Sequence, residues 1–142
     1  MKPLCLPASL DSLESIGKYI IAATTEAELD TKAAYNLRLA VDEIATNIIT
    51  HGYEVAGRTG DINVSGVLTD SSLTIVLEDT GIPFDPLSKN LPGEDYLNLP
   101  LEERPIGGLG IFLVLKGVDH FSYEFSEGKN RNIFAMNRTE KD

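Results

Sequence analysis

The chain has 142 residues, 42% hydrophobic and 24% charged, which is the balance of an ordinary globular domain with room for one two-layer core and no second domain of similar size. Acidic residues outnumber basic ones 22 to 12, a formal net charge of −10 that opposes binding to nucleic-acid phosphates or anionic lipid, although backbone N–H groups and a metal ion can still hold a small polyanion. A single cysteine excludes an internal disulfide and a zinc-ligand set, and no apolar run reaches signal-peptide length or the roughly 20 residues that cross a bilayer, so a cytoplasmic protein is expected.

The chain starts with a short apolar stretch, Lys2 to Pro7, to which no element is assigned; a buried thiol is the simplest reading of Cys5 within it. From Ser9 to about Thr24, Leu10, Leu13, Ile16, Tyr19 and Ile20 recur at helical spacing, with Ser9 available as N-cap. A longer helix is expected from about Asp30 to Thr50, with Ala33, Leu37, Ala40, Val41, Ile44 and Ile48 as its apolar stripe, ended by His51-Gly52-Tyr53. Asp61 to Leu68 and Leu73 to Glu78 read as an antiparallel hairpin around the polar turn Thr69 to Ser72.

Thr80 to Gly108 holds most of the prolines and several glycines, which predicts a long functional loop. The apolar run Ile111 to Leu115, inside Gly110 to Gly117, predicts a short helix whose side chains are core. His120 to Phe125 and Asn132 to Asn137 predict two closing strands. Hairpins with helices to one side imply an α+β fold, a two-layer sandwich with a mixed, mostly antiparallel sheet.

Three features carry chemistry. Glu43 and Asn47 lie four residues apart on the long helix, which places them on one face with Cβ atoms about 6 Å apart. An uncharged, weakly helix-forming Asn among Ile44, Ile48 and Ile49 needs a reason to be there. Next, Glu78-Asp79-Thr80-Gly81-Ile82-Pro83 ends a strand with a carboxylate and opens a loop at Gly81, where the missing Cβ permits unusual backbone angles and close approach to a ligand. Finally, Arg104-Pro105-Ile106-Gly107-Gly108-Leu109-Gly110 runs into an apolar helix, whose free N–H groups and positive dipole end suit a phosphate. It fits neither the dinucleotide fingerprint nor a Walker A loop. Taken singly, the first is as common as any exposed polar stripe, and the second could be a plain strand-ending turn.

Together, and in this order, they resemble the anti-sigma-factor serine kinases of the Bergerat (GHKL) type. Leu39 to Tyr53 resembles that family's N box, Asp79-Thr80-Gly81-Ile82-Pro83 its G1 box, and Gly107-Gly108-Leu109-Gly110 its G2 box, so the likeness spans nearly the whole chain. Two departures stand out. Ile82 replaces a frequent second glycine of the G1 box. The last strand, which in the family begins near a Gly-Thr pair, here follows Gly128-Lys129-Asn130-Arg131, and no site residue is assigned to it.

The resemblance implies one ATP-binding kinase domain over residues 1–142 with a lid at about 84–107. Asn47 would hold Mg²⁺ through its amide oxygen. Glu43 would act as general base on the hydroxyl to be phosphorylated, or would orient it. Asp79 would accept from the adenine amino group, and Gly81 would let the base approach the backbone. Gly107, Gly108, Leu109 and Gly110 would bind the phosphates, with Arg104 at the terminal one. His51 is read as a helix-end residue and Lys89 as a solvated loop lysine. The implied partners are a STAS-domain antagonist as protein substrate, a sigma factor, and a second copy of the chain, with no nucleic acid and no membrane. A different class of function, an ATP-gated binding adaptor without useful turnover, shares the same site.

Overall fold

The computed structural model describes residues 1–86 and 109–138. Five strands form one sheet: β1 (Leu4–Pro7), β2 (Asp61–Leu68), β3 (Ser72–Asp79), β4 (His120–Ser126) and β5 (Lys129–Asn137), in the spatial order β1-β2-β3-β5-β4. Every described pairing is antiparallel. The helices are α1 (Leu13–Glu26), α2 (Thr31–Asn47) and α3 (Leu109–Leu115). This is the expected α+β sandwich, one sheet face packed under helices.

Alternation along the strands builds the core. Ile62 and Val64 of β2, Leu73, Ile75 and Leu77 of β3, and Phe134 and Met136 of β5 are buried against Ile16 and Ile20 of α1 and Leu37, Val41 and Ile44 of α2. The α2 stripe is as expected, with Ala33 packed at its edge. Asp30 caps α2, its Oδ1 accepting from the Ala33 N–H at 2.7 Å, which satisfies one of the first turn's free donors. The β2–β3 turn closes where Thr69 N–H donates to Ser72 O at 2.9 Å. Glu127 and Gly128, at φ 55° and 79°, form the two-residue turn between β4 and β5, the geometry that matches strand twist and favours glycine.

Four expectations change. Leu4 to Pro7 is an edge strand, and its period of two turns Leu4 and Leu6 inward and leaves Cys5 exposed rather than buried. Ser9 caps a 3₁₀ turn, Leu10–Ser12, that precedes α1, so Leu10 is exposed instead of packed. The α3 run is core on one side only: Ile111 is buried, while Leu113, half a turn away, is 56% exposed. Helix α2 does not end at His51. It widens into a π-helical segment, Ile48–Glu54, in which Val55 N–H donates to Thr50 O at 2.9 Å. Such wide turns bulge one residue out of the helical ladder and recur at functional sites.

Candidate functional site

The end of α2, the π-helical segment and the ends of β3 and β5 enclose a cleft. It is lined by Ile44, Asn47, Ile48 and Gly52 on the helical side, by Asp79, Asn130 and Asn132 on the sheet side, and by Ile82, Phe84 and Pro86 from the segment after β3. Asn47 and Asp79, far apart in sequence, therefore face one space. Asn47 Nδ2 donates to its own helix, to Glu43 O at 2.7 Å. That commitment leaves Asn47 Oδ1 as the atom available to the cleft. Glu43 stands one turn back, its Oε1 accepting from Asn47 Nδ2 at 3.4 Å, and is not among the residues that line the cleft.

Asp79 is 2% exposed. Its Oδ1 accepts from Gly81 N–H at 2.9 Å and from Asn130 Nδ2 at 3.0 Å. Its Oδ2 is buried without a partner among the described residues. Burial pushes the Asp79 carboxyl above the ordinary carboxylate range, the two donors to Oδ1 work against that rise, and the neighbouring Glu78 charge adds to it.

Asn130 is the clamp of this corner. Its Nδ2 also donates to Gly81 O at 3.1 Å, and its Oδ1 accepts from the Tyr123 hydroxyl. Burial, countered by a backbone hydrogen bond at Phe84, raises the Tyr123 hydroxyl, as do the charges of Asp79 and Asp85, so Tyr123 stays a donor.

Gly81 plays a different part from the one its sequence suggests. Its φ lies outside the left-handed region, since Gly57 and Gly128 are the only described glycines there. What requires glycine is contact: a Cβ at Gly81 would stand 2.8 Å from Gly52 O, well inside van der Waals distance. The Ile82 N–H donates to that same carbonyl at 3.1 Å. Tyr53 fixes the register of this junction, its hydroxyl accepting from Thr80 N–H at 2.8 Å and donating to Asp61 O at 3.0 Å. The widened helix thus presents Gly52 and Tyr53 to the loop after β3.

Asn130, Asn132, Gly52 and Tyr53 are the residues that sequence reasoning missed. Two polar residues at the inward positions of an otherwise alternating strand, Asn130-Arg131-Asn132-Ile133-Phe134, are the signal that could have found the first pair. Starting the strand at Asn132 hid it. His51 is exposed on the π-helical segment. Leu109 and Gly110 open α3, which packs on α2. Arg104, Gly107, Gly108, Lys89 and the lid residues beyond Pro86 lie outside the described residues.

A profile of the histidine kinase-like ATPase domain matches residues 6–136, a span that includes Asn47, Asp79, Asn130 and Asn132. The chain belongs to this family, on its anti-sigma-factor kinase branch. It is 30% identical over 126 residues to the anti-sigma F factor of Clostridium acetobutylicum, covering 88% of this chain and 85% of that one. It is 32% identical over 94 residues to the serine-protein kinase RsbW of Bacillus cereus, covering 66% of this chain. The match spans 58% of that kinase, less than two thirds of its length. The fold is shared with the RsbU and RsbW domains of a Mycobacterium tuberculosis protein, at TM-score 0.62 and 16% identity over 99% of this chain and 34% of that one. Among the described residues no helix is long and apolar enough to cross a membrane.

Proposed function

We propose that the protein is an ATP-dependent serine/threonine kinase and anti-sigma factor of a partner-switching circuit. It phosphorylates a STAS-domain antagonist and holds a sigma factor when not so engaged. The observation that carries this reading is the cleft in which Asn47 Oδ1 and the unpartnered, buried Asp79 Oδ2 face a common space. A buried carboxylate oxygen left without a donor is costly unless a ligand supplies one, and adenine's amino group is such a donor. The names of the relatives, an anti-sigma factor and a serine-protein kinase, support the same assignment.

The residues present fit Mg²⁺. This hard cation takes few protein oxygens, keeps waters and shares phosphate oxygens. Asn47 Oδ1, left over when the amide nitrogen donates to Glu43 O, is the protein oxygen that would hold it. When bound, the metal would supply positive charge to the phosphates. Glu43, one turn from Asn47, takes the proton of the substrate hydroxyl as its oxygen bonds to the γ-phosphorus; the bond from that phosphorus to the bridging oxygen breaks and ADP leaves. By resemblance, Arg104 meets the terminal phosphate, and Gly107, Gly108, Leu109 and Gly110 offer N–H groups to the others. The whole acts as one cytoplasmic domain with its lid at about 84–107.

The test is transfer from labelled Mg-ATP to the STAS protein encoded nearest this one. Glu43→Gln should slow transfer by about 10²–10⁴-fold and leave ATP affinity unchanged by calorimetry. Unchanged transfer by that variant would sink the base assignment. ATP-dependent partner binding without any transfer by the wild type would favour the adaptor instead.

A further inference from the structure

Helices α1 and α2, joined by a short turn, pack on each other and leave a long groove on their solvent side, away from the cleft. Two hollows of about 580 and 340 Å³ merge there, both lined by Ile21, Tyr35 and Arg38, which is far more space than one side chain fills. The groove follows α1 from Leu13 to Thr25, about 18 Å, a little over three helical turns. Its walls are apolar where a solvated helix face would be charged: Ile21, Tyr35 and Leu39 are 46%, 59% and 39% exposed.

Arg38 lies across the middle. Its Nε stands 3.9 Å from the point that a Cβ on Gly17 would occupy, so the bare backbone of α1 makes a seat for the guanidinium. Arg38 makes no hydrogen bond or ion pair among the described residues, whereas Lys18, the groove's other cation, pairs with Glu14 at 3.5 Å. A guanidinium set among apolar and aromatic side chains, with its donors free, suits a carboxylate that a partner brings, and Tyr and Arg are the residue types that dominate protein interfaces. The occupant must satisfy its own backbone, because side chains of two helices offer no strand edge to pair with. That requirement selects a helix, laid between α1 and α2 with its apolar face down. The groove also points at the reaction. Leu39 and Asp42 line one end, Glu43 follows Asp42 in the chain, and Glu43 lies one turn beyond Leu39. A protein seated in the groove is therefore held beside the base that takes its hydroxyl proton.

Resting on the kinase reading, we propose that the groove between α1 and α2 docks an amphipathic helix of the protein substrate. A carboxylate of that helix meets Arg38, a basic residue one turn further meets Asp42, and apolar residues pack against Ile21, Tyr35 and Leu39. Arg38 and Tyr35 thereby select the substrate and take no part in phosphoryl transfer.

The experiment is steady-state transfer from labelled Mg-ATP to the STAS protein encoded nearest this one, over a range of its concentrations and of salt. Arg38→Glu should raise KM for that protein about 30-fold and Tyr35→Ala about tenfold. Both should leave kcat, ATP affinity and the thermal midpoint unchanged, because the loss is in binding and both side chains are exposed. Arg38→Lys should recover part of the loss, and added salt should raise KM more for the wild type than for Arg38→Glu. Unchanged KM in both variants overturns the groove while the kinase reading stands. Unchanged KM with a dimer broken to monomer, seen by sedimentation, gives the groove to a second copy and overturns the substrate helix. A wild type that transfers nothing yet binds the STAS protein through Arg38 and Tyr35, read by calorimetry, overturns the kinase reading and keeps the groove. One that neither transfers nor binds overturns both.

Discussion

The helical wall of the cleft and the strand wall across from it differ in how their polar groups are kept. On the helical wall, Glu43 and Asn47 are half-buried, and Asn47 leans on its own helix through one short hydrogen bond. Water reaches this wall, so its polar groups cost the fold little. On the strand wall, Asp79, Asn130 and Asn132 are 2–3% exposed, and their polar atoms are either tied to one another or orphaned. The helical wall holds chemistry that the fold tolerates, whereas the strand wall holds recognition that the fold must accommodate.

That contrast can be broken most sharply at Asn130. Asn130→Ala strips donors from Asp79 Oδ1 and Gly81 O inside the protein and should cost about 3 kcal/mol in chemical denaturation, the sum of two unsatisfied groups. Asn47→Ala on the helical wall should cost less than about 1 kcal/mol. It should nevertheless abolish the magnesium dependence of ATP binding in a calorimetric titration. Equal losses of stability at the two positions would erase the difference between the walls.

Gly81→Ala tests the seam where the walls meet. Its Cβ would stand 2.8 Å from a backbone oxygen that cannot swing away, so a loss of about 1–3 kcal/mol is expected. Tolerance of alanine, seen as an unchanged thermal midpoint, would show that the π-helical segment yields.

Asp79→Asn gives a small effect on stability and one of unusual sign. Because burial raises the Asp79 carboxyl, folded protein holds its proton to higher pH than unfolded chain does. Stability contributed by this group is therefore present below the ordinary carboxylate value and lost as pH climbs through the raised one. At neutral pH Asp79→Asn should be the more stable protein, by about 1 kcal/mol, while binding adenine nucleotides far more weakly. Thermal melts of both proteins between acid and neutral pH check this; a wild type that gains on the variant as pH rises would contradict the burial argument.

The sequence was legible wherever one local rule governs. The α2 stripe, the Asp30 cap and the β2–β3 turn follow from periods of 3.6 and 2 and from side chains that bond their own backbone. The likeness of the N and G1 boxes likewise pointed to Asn47 and Asp79, which the fold brings to one cleft. Leu4 to Pro7 was opaque because four residues hold too little pattern to announce a strand; only β2 beside it supplies the partner. The π-helical turn was hidden too, and the Ile82 N–H that bonds its Gly52 O comes from the loop after β3, far along the chain.

What the sequence determined by itself, then, is the helices α1 to α3, the strands β2 to β5, the covered stripe of α2 and the spacing of Glu43 and Asn47, because these depend on neighbours a few positions apart. Tertiary structure alone decided that Asn130 clamps Asp79, that Gly81 is there to admit a carbonyl, and that Asp79 Oδ2 and Asn132 Oδ1 are left bare together. Hydrogen bonds between atoms some fifty residues apart, such as Asn130 to Asp79, are settled by sheet register, and register is a property of the assembled sheet that no single segment carries.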